Sequence, residues 1–475
     1  MAKYETLVDQ VKEQIQNNIW QVGDKLPSLR KQTEATGLSL MTVLHAYQVL
    51  ESQGWIVSHA RSGYFVAPKI HKSNPLPKRD NTTVSRSEEI DINDFIFDVL
   101  KTGQAPYTIN FVSVYPDPNL YPRNSINKSL TSAVSHMPTS SALDNLPPGN
   151  KALRQLIAKR YAAEGITVRP DEIVITAGAL EALNLSLQAV TKAGDWVVVE
   201  SPTFYGALQS LQRLNLRALS VRTHPTEGID LKALEDALKS HPVKACWLMT
   251  NHQNPLGCTL SNEKKERLMA MLADHNVYLI EDDVYGELYY GSQKPLPAKA
   301  FDRSGMTMHC SSLSKTLVAG FRIGWVAAGE MALPIQKLQL MSTLSASAPI
   351  QLALEHYLST RNYENHLRKL RRKLEQHKFG MWQMLSAHLP SSVVIHYSQG
   401  GYFLWIELPE YLDATVLYDL AAKTHISIAP GKMFSLSNEY DHCFRLNSSF
   451  ECSDAQERAI KRLAELIQQM IDNHS

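Results

Sequence analysis

The sequence predicts an α/β protein in which a small helical module precedes a large domain built on a mainly parallel sheet. Three observations carry this expectation. From about residue 145, short apolar runs alternate with segments of helical periodicity, the pattern of buried parallel strands joined by crossover helices. Residues 69–90 are rich in Pro, Ser, Asn and Lys/Arg, show no apolar periodicity, and read as a linker. Ahead of them, residues 1–68 carry three helical patterns followed by two β-like runs. A chain of 475 residues suits about two or three domains of ordinary size.

Composition narrows the function classes. A formal net charge of +1 means that no global field drives the protein onto nucleic acid or membrane, so any nucleic-acid contact must come from local placement. The five cysteines (Cys246, Cys258, Cys310, Cys443, Cys452) are dispersed and form no CxxC pair, which fits neither a disulfide framework nor a zinc site and points to a reducing cytoplasm. The segment MAKYETLVDQVKEQ is charged and amphipathic and lacks the apolar core of a signal peptide. No run approaches the roughly 18 apolar residues of a membrane span. A soluble, cytoplasmic protein with no membrane partner is expected.

Taken in order, Leu7, Val11, Ile15 and Ile19 recur at helical spacing and predict a first helix. Gly23-Asp24 breaks the chain, and Ser28 offers a cap for a second helix from about Leu29 that Gly37 ends. Ser39 can cap a third, LMTVLHAYQVLESQ, with Val43, Ala46, Tyr47 and Leu50 on one face. WIVSH and YFVAP then read as a hairpin, which makes the module a winged helix-turn-helix. Its sequence, GDKLPSLRKQTEATGLSLMTVLHAYQVLESQGWIV…SGYFVAP, resembles the DNA-binding domain of GntR-family regulators over residues 4–68. The resemblance implies double-stranded DNA as a partner. Arg30 would contact phosphate, Ser39, Met41 and Thr42 would face DNA, and Arg61 and Gly63 would form the wing. Position 40 is leucine where the family usually carries arginine. Residues 1–68 hold six basic and six acidic residues, so non-specific affinity should be small and binding should rely on a dimer and on the basic linker.

In the large module, DEIVIT, DWVVVE, VKACWLMT, VYLIED and MTMHCSS are the expected parallel strands, and ligands collect beyond the carboxyl ends of such strands. Ala177-Gly178-Ala179-Leu180 opens a helix after the first, where free N–H groups can bind phosphate. Ser201-Pro-Thr-Phe204 follows the second and brings an aromatic ring suited either to stacking on a planar cofactor or to the core. Asn254 follows the third, between Gln253 and Pro255, as a donor or simply part of a turn. Glu281-Asp282-Asp283-Val-Tyr285 ends the fourth; its carboxylates suit a metal or a pyridinium nitrogen, and with no accompanying ligand cluster no metal is expected. Ser312-Leu-Ser314-Lys315 ends the fifth, with Arg322 seven residues on between glycines. A lysine that forms an imine needs a lowered pKa, and a cofactor phosphate needs hydroxyls and a guanidinium. Farther on, Arg445 is suited to gripping a carboxylate bidentately.

The order of these motifs, from about residue 110 to 470, resembles the fold type I aminotransferases, which use pyridoxal 5′-phosphate. The resemblance implies Lys315 as the Schiff-base lysine, Asp282 on the pyridine nitrogen, Asn254 and Tyr285 on the ring oxygen, and Phe204 on the ring face. Gly178, Ala179, Leu180, Ser312, Ser314 and Arg322 would form the phosphate side, and Arg445 would bind a substrate or effector carboxylate. The family tyrosine that reaches a neighbouring subunit's phosphate is replaced by Asp144 or Asn145, and Ala177 and Ala179 stand where hydroxyl residues often serve.

A winged helix (1–68), a linker (69–90) and a fold type I aminotransferase-like domain (91–475, its large part about 145–335 and its C-terminal small part about 360–475) together resemble the MocR subgroup of GntR regulators. That implies a homodimeric transcription factor sensing an amine or amino acid by aldimine exchange at Lys315. The alternative is a working aminotransferase with an accessory DNA-binding module.

Overall fold

The computed structural model describes residues 3–17, 19–59, 63–67 and 92–474. The chain divides into two compact units, Met1–Asn81 and Thr82–Ser475.

The first unit contains helices α1 (Lys3–Gln16), α2 (Leu29–Thr36) and α3 (Leu40–Ser52) and an antiparallel hairpin of β1 (Ile56–His59) and β2 (Gly63–Val66). The Ser28 side chain accepts from Lys31 N–H at the start of α2, and Ser39 accepts from Thr42 N–H at the start of α3, so both helices begin where a short hydroxyl satisfies an orphan donor. Gly37 ends α2 with φ of 67°, a left-handed turn that a side chain would disfavour. Leu7, Val11 and Ile15 of α1, Val43, Ala46, Tyr47 and Leu50 of α3, and Ile56 and Val66 of the hairpin share one apolar core. Ile19 departs from the expected helical face. The helix stops at Gln16, Trp20 turns back so that its indole donates to Gln14 and packs on the core, and Ile19 is left 64% exposed. Arg61 and the linker 69–90 lie outside the described residues.

The described part of the second unit begins with a helix, Ile92–Thr102, and a short strand β3 (Ile109–Asn110). Its main sheet consists of β4 (Ile173–Thr176), β5 (Trp196–Ser201), β6 (Arg217–His224), β7 (Gly228–Ile229), β8 (Val243–Leu248), β9 (Tyr278–Asp282), β10 (Thr307–Ser312) and β11 (Gly324–Ala327), in the order β4-β11-β10-β9-β8-β5-β6-β7. The run β10-β9-β8-β5-β6 is parallel throughout, whereas β11 is antiparallel to both of its neighbours and β7 is antiparallel to β6. All five apolar runs picked out in the sequence are strands of this sheet, and β6, β7 and β11 are additional. β6 escapes an apolar-run search because it alternates, with Leu219, Val221 and Thr223 buried between more exposed residues.

A second, antiparallel sheet in the order β12-β13-β16-β15 is formed by Val394–His396 (β12), Phe403–Glu407 (β13), Ala429–Pro430 (β15) and Cys443–Asn447 (β16). Strand β14 (Ile426–Ser427) pairs in parallel with β3, which ties residues 109–110 to the C-terminal part of the unit. The carboxyl ends of β4, β5, β8, β9 and β10 open on one edge of the main sheet, and the residues that follow them meet there.

Candidate functional site

Lys315 lies in the turn just after β10 and is buried. Its Nζ donates to the Val114 carbonyl at 2.7 Å and stands 4.0 Å from the centroid of the Tyr115 ring. Burial lowers its pKa to about 7; the Asp282 carboxylate opposes the shift, and the Arg322 and Arg445 guanidiniums add to it. Asp282, the last residue of β9, is buried as well, and burial together with the neighbouring Asp283 pushes its carboxyl up to about 7 against the pull of Lys315. Behind it Asp283 receives Asn251 Nδ2 at 3.2 Å and faces His309 Nε2 at 3.1 Å, while His309 Nδ1 meets the Tyr161 hydroxyl at 2.6 Å.

Arg445, in the middle of β16, has no solvent exposure. Its Nη1 donates to Asn254 Oδ1 at 2.8 Å and its Nη2 to the Val112 carbonyl at 2.5 Å, with the Phe403 ring 4.1 Å from the guanidinium carbon. The bond to Asn254 turns the amide so that Nδ2 points elsewhere without a partner. Tyr285 is buried against Tyr402 and Phe403, and burial raises its phenol pKa, so it stays a neutral donor. Phe204 caps the helix Tyr205–Arg213 and is half-buried beside the Tyr205 ring.

On the far side, Gly178 caps the helix Ala179–Val190 with φ of 94°. A Cβ at Gly178 would stand 2.7 Å from Arg322 Nη2, so only glycine lets the guanidinium lie on this helix start. Ala179 is buried and Leu180 is exposed, in the first turn, where backbone N–H groups lack helical partners. Ser312 ends β10, and its Oγ accepts from Ser314 N–H at 3.4 Å, whereas the buried Ser314 Oγ has no partner.

The structure thus brings together Lys315, Asp282, Asn254, Tyr285 and Arg445 at one end of the site, and Gly178, Ala179, Ser312 and Arg322 at the other. Of the two residues expected where the family carries its tyrosine, Asp144 is bonded by Ser140 and Asn145 donates to the Ser141 carbonyl. Sequence reasoning missed the segment Val112–Tyr115, whose carbonyls and ring touch both Arg445 and Lys315. Its aromatic and proline content, Tyr115-Pro-Asp-Pro, was the available signal. In the first unit, Arg30 is exposed on α2, and Met41 and Leu40 are 71% and 48% exposed at the start of α3. Ser39 and Thr42 are joined by a 2.8 Å hydroxyl contact there, and Gly63 opens β2.

These residues fit pyridoxal phosphate. A buried acceptor, Asp282 Oδ1, and a buried donor, Asn254 Nδ2, lack partners, as a ring nitrogen and a phenolate oxygen would require. A helix start and an arginine converge at the other end, as a phosphate requires. Among the described residues no group of three or more His, Cys, Asp or Glu is placed to hold a metal, and no helix is long and apolar enough to cross a membrane.

Fold and site together define a class I and II aminotransferase architecture carried behind a winged helix-turn-helix. The family model "Aminotransferase class I and II" matches residues 122–463, and "Bacterial regulatory proteins, gntR family" matches residues 3–66. The chain is 58% identical to the HTH-type transcriptional regulator YdcR of Escherichia coli K12 over 99% of its length and 100% of that protein. It is 32% identical to YjiR of the same organism over 98% and 99% of the two chains. Kynurenine aminotransferase from Pyrococcus horikoshii superposes with a TM-score of 0.73 at 26% identity, covering 81% of this chain and 95% of the other. The chain belongs to the GntR-family proteins that carry a class I and II aminotransferase domain, the MocR-type arrangement.

Proposed function

We propose that the chain is a pyridoxal-phosphate-dependent, DNA-binding transcriptional regulator that senses an amine or amino acid at Lys315. One observation carries this: a capped helix-turn-helix with exposed residues at the head of α3 shares a chain with a buried lysine, carboxylate and arginine beyond parallel strand ends. The names of YdcR and YjiR, which match over nearly the whole chain, support the regulator half.

Bound pyridoxal phosphate supplies an aldehyde to the lysine and a ring that withdraws electrons. The chain's residues then have separate tasks. Lys315, about half neutral near pH 7, is the nucleophile. Asp282 would hold the ring nitrogen's proton, Asn254 Nδ2 and the Tyr285 hydroxyl would donate to the ring oxygen, and Phe204 would cover one ring face. The N–H groups of Gly178, Ala179 and Leu180, the hydroxyls of Ser312 and Ser314, and Arg322 would hold the phosphate. An effector amine would compete with Lys315 for the aldehyde, and its carboxylate would take the Arg445 fork now shared by Asn254 and Val112. A change in the contacts of Lys315 with Val114 and Tyr115 would bias how a cytoplasmic homodimer presents its two winged helices to paired half-sites. In this reading residues 1–68 read DNA, 69–90 connect, and 91–475 sense.

A second reading, a working aminotransferase, draws on the intact Lys315, Asp282 and Arg445 and on the likeness to kynurenine aminotransferase. Incubation with pyridoxal phosphate, an amino acid and a keto acid separates the two. A regulator changes absorbance and DNA affinity without sustained keto-acid consumption, and an enzyme consumes keto acid through many cycles with DNA affinity unaltered.

A further inference from the structure

Tyr115 belongs to none of the motifs that define the site, yet it touches both of the site's ends. Its hydroxyl accepts from Arg322 Nη1 at 3.2 Å, and the face of its ring lies 4.0 Å below Lys315 Nζ. The placement is built rather than incidental. The Tyr115 carbonyl accepts from Asn447 Nδ2 at 2.7 Å and from Ser113 Oγ at 3.1 Å, and its N–H donates to the same Oγ at 3.0 Å. Asn447 is itself buried in β16, two residues from Arg445, so the loop bearing Tyr115 is fixed to the strand that carries the carboxylate-binding arginine.

Each contact has a physical consequence for a phosphorylated aldehyde. Arg322 is exposed, and a free guanidinium side chain carries considerable rotamer entropy that must be lost before it can grip an anion. The Tyr115 hydroxyl holds one Nη of the fork in advance, which leaves the other facing Gly178 and the helix start. The ring, meanwhile, shields the lysine amine from water on one side. Neither Asp144 nor Asn145 can do this, since their side chains are turned to Ser140 and Ser141.

We propose that Tyr115 is a positioning residue of the cofactor site, its hydroxyl preordering Arg322 for the phosphate and its ring covering the Lys315 amine where the aldehyde is captured. This rests on the cofactor reading above. The test titrates the full chain with pyridoxal phosphate and, separately, with pyridoxal, following cofactor absorbance and borohydride-trapped adduct for wild type, Tyr115→Phe and Tyr115→Leu. Tyr115→Phe is expected to weaken pyridoxal phosphate about tenfold while leaving pyridoxal unchanged, because only the phosphate uses the preordered arginine. Tyr115→Leu is expected to weaken both, having lost the ring as well. A Tyr115→Phe protein that holds pyridoxal phosphate as tightly as wild type, or that loses both ligands alike, overturns the assignment. A wild-type chain that forms no adduct at Lys315 overturns the cofactor reading beneath it.

Discussion

Lowering the pH should switch off cofactor capture at Lys315 with a midpoint close to neutrality. The amine has an ordinary pKa of 10.5 and is held down to about 7, chiefly by burial. At pH 7 about half of it is free base, against roughly 3 in 10,000 for a solvent-exposed lysine, a gain on the order of a thousandfold in nucleophile. Two variants test the cause through opposite signs. The Asp282 carboxylate favours the ammonium form, so Asp282→Asn should move the midpoint down. The Arg322 guanidinium disfavours that form, so Arg322→Gln should move it up. The assay is the initial rate of borohydride-trappable pyridoxal phosphate incorporation across pH, with the adduct mapped to the Lys315 peptide. A rate that keeps climbing through about pH 9, as for a surface lysine, would refute the reasoning. So would midpoints that move in the same direction in both variants.

Other perturbations follow from the same contacts. Arg445→Ala should weaken an amino-acid ligand on the order of a hundredfold, the usual scale for a buried charge pair, with a far smaller effect on pyridoxal phosphate; equal loss of both in an absorbance titration would remove its carboxylate role. Ser39→Ala deletes the cap of α3 and should cost about 1 kcal/mol of stability in the first unit, read as faster amide exchange along that helix. Deleting residues 1–68 should abolish specific DNA binding in a gel-shift assay and leave cofactor absorbance unchanged. Gly178→Ala forces a side chain into a left-handed backbone and against Arg322, and calorimetry should register a pyridoxal phosphate affinity lower by about tenfold or more.

Much of this arrangement was legible because its signals are local. Ser28, Gly37 and Ser39 punctuate the first unit through bonds to residues three or four positions away, and such contacts leave marks in sequence. The parallel strands were visible as apolar runs because both faces are covered, and Asp282, Ser312 and Lys315 were visible because they stand at or just past strand ends. β11 was missed because it begins two residues after Arg322 and merges in sequence with that turn. Ile19 was misplaced because periodicity cannot register a tryptophan folding back one residue later. Val112 and Val114 were missed for a deeper reason: they meet Arg445 and Lys315 across a separation of about 200 residues or more, through backbone carbonyls that every residue type possesses, and the Tyr115 ring reaches Lys315 across the same separation.

If the chain is a sensor, occupancy at Lys315 and affinity for DNA should be one equilibrium. The direct measurement is fluorescence anisotropy of a duplex selected from a random pool by the full chain, titrated with wild type and with Lys315→Ala, each holding pyridoxal phosphate, with and without a panel of amino acids. At least one amino acid is expected to change cofactor absorbance and DNA affinity over the same concentration range in wild type, whereas Lys315→Ala, which has no lysine to release, is expected to keep one DNA affinity with or without that amino acid. An amino acid that shifts the wild-type absorbance while DNA affinity stays constant would contradict it.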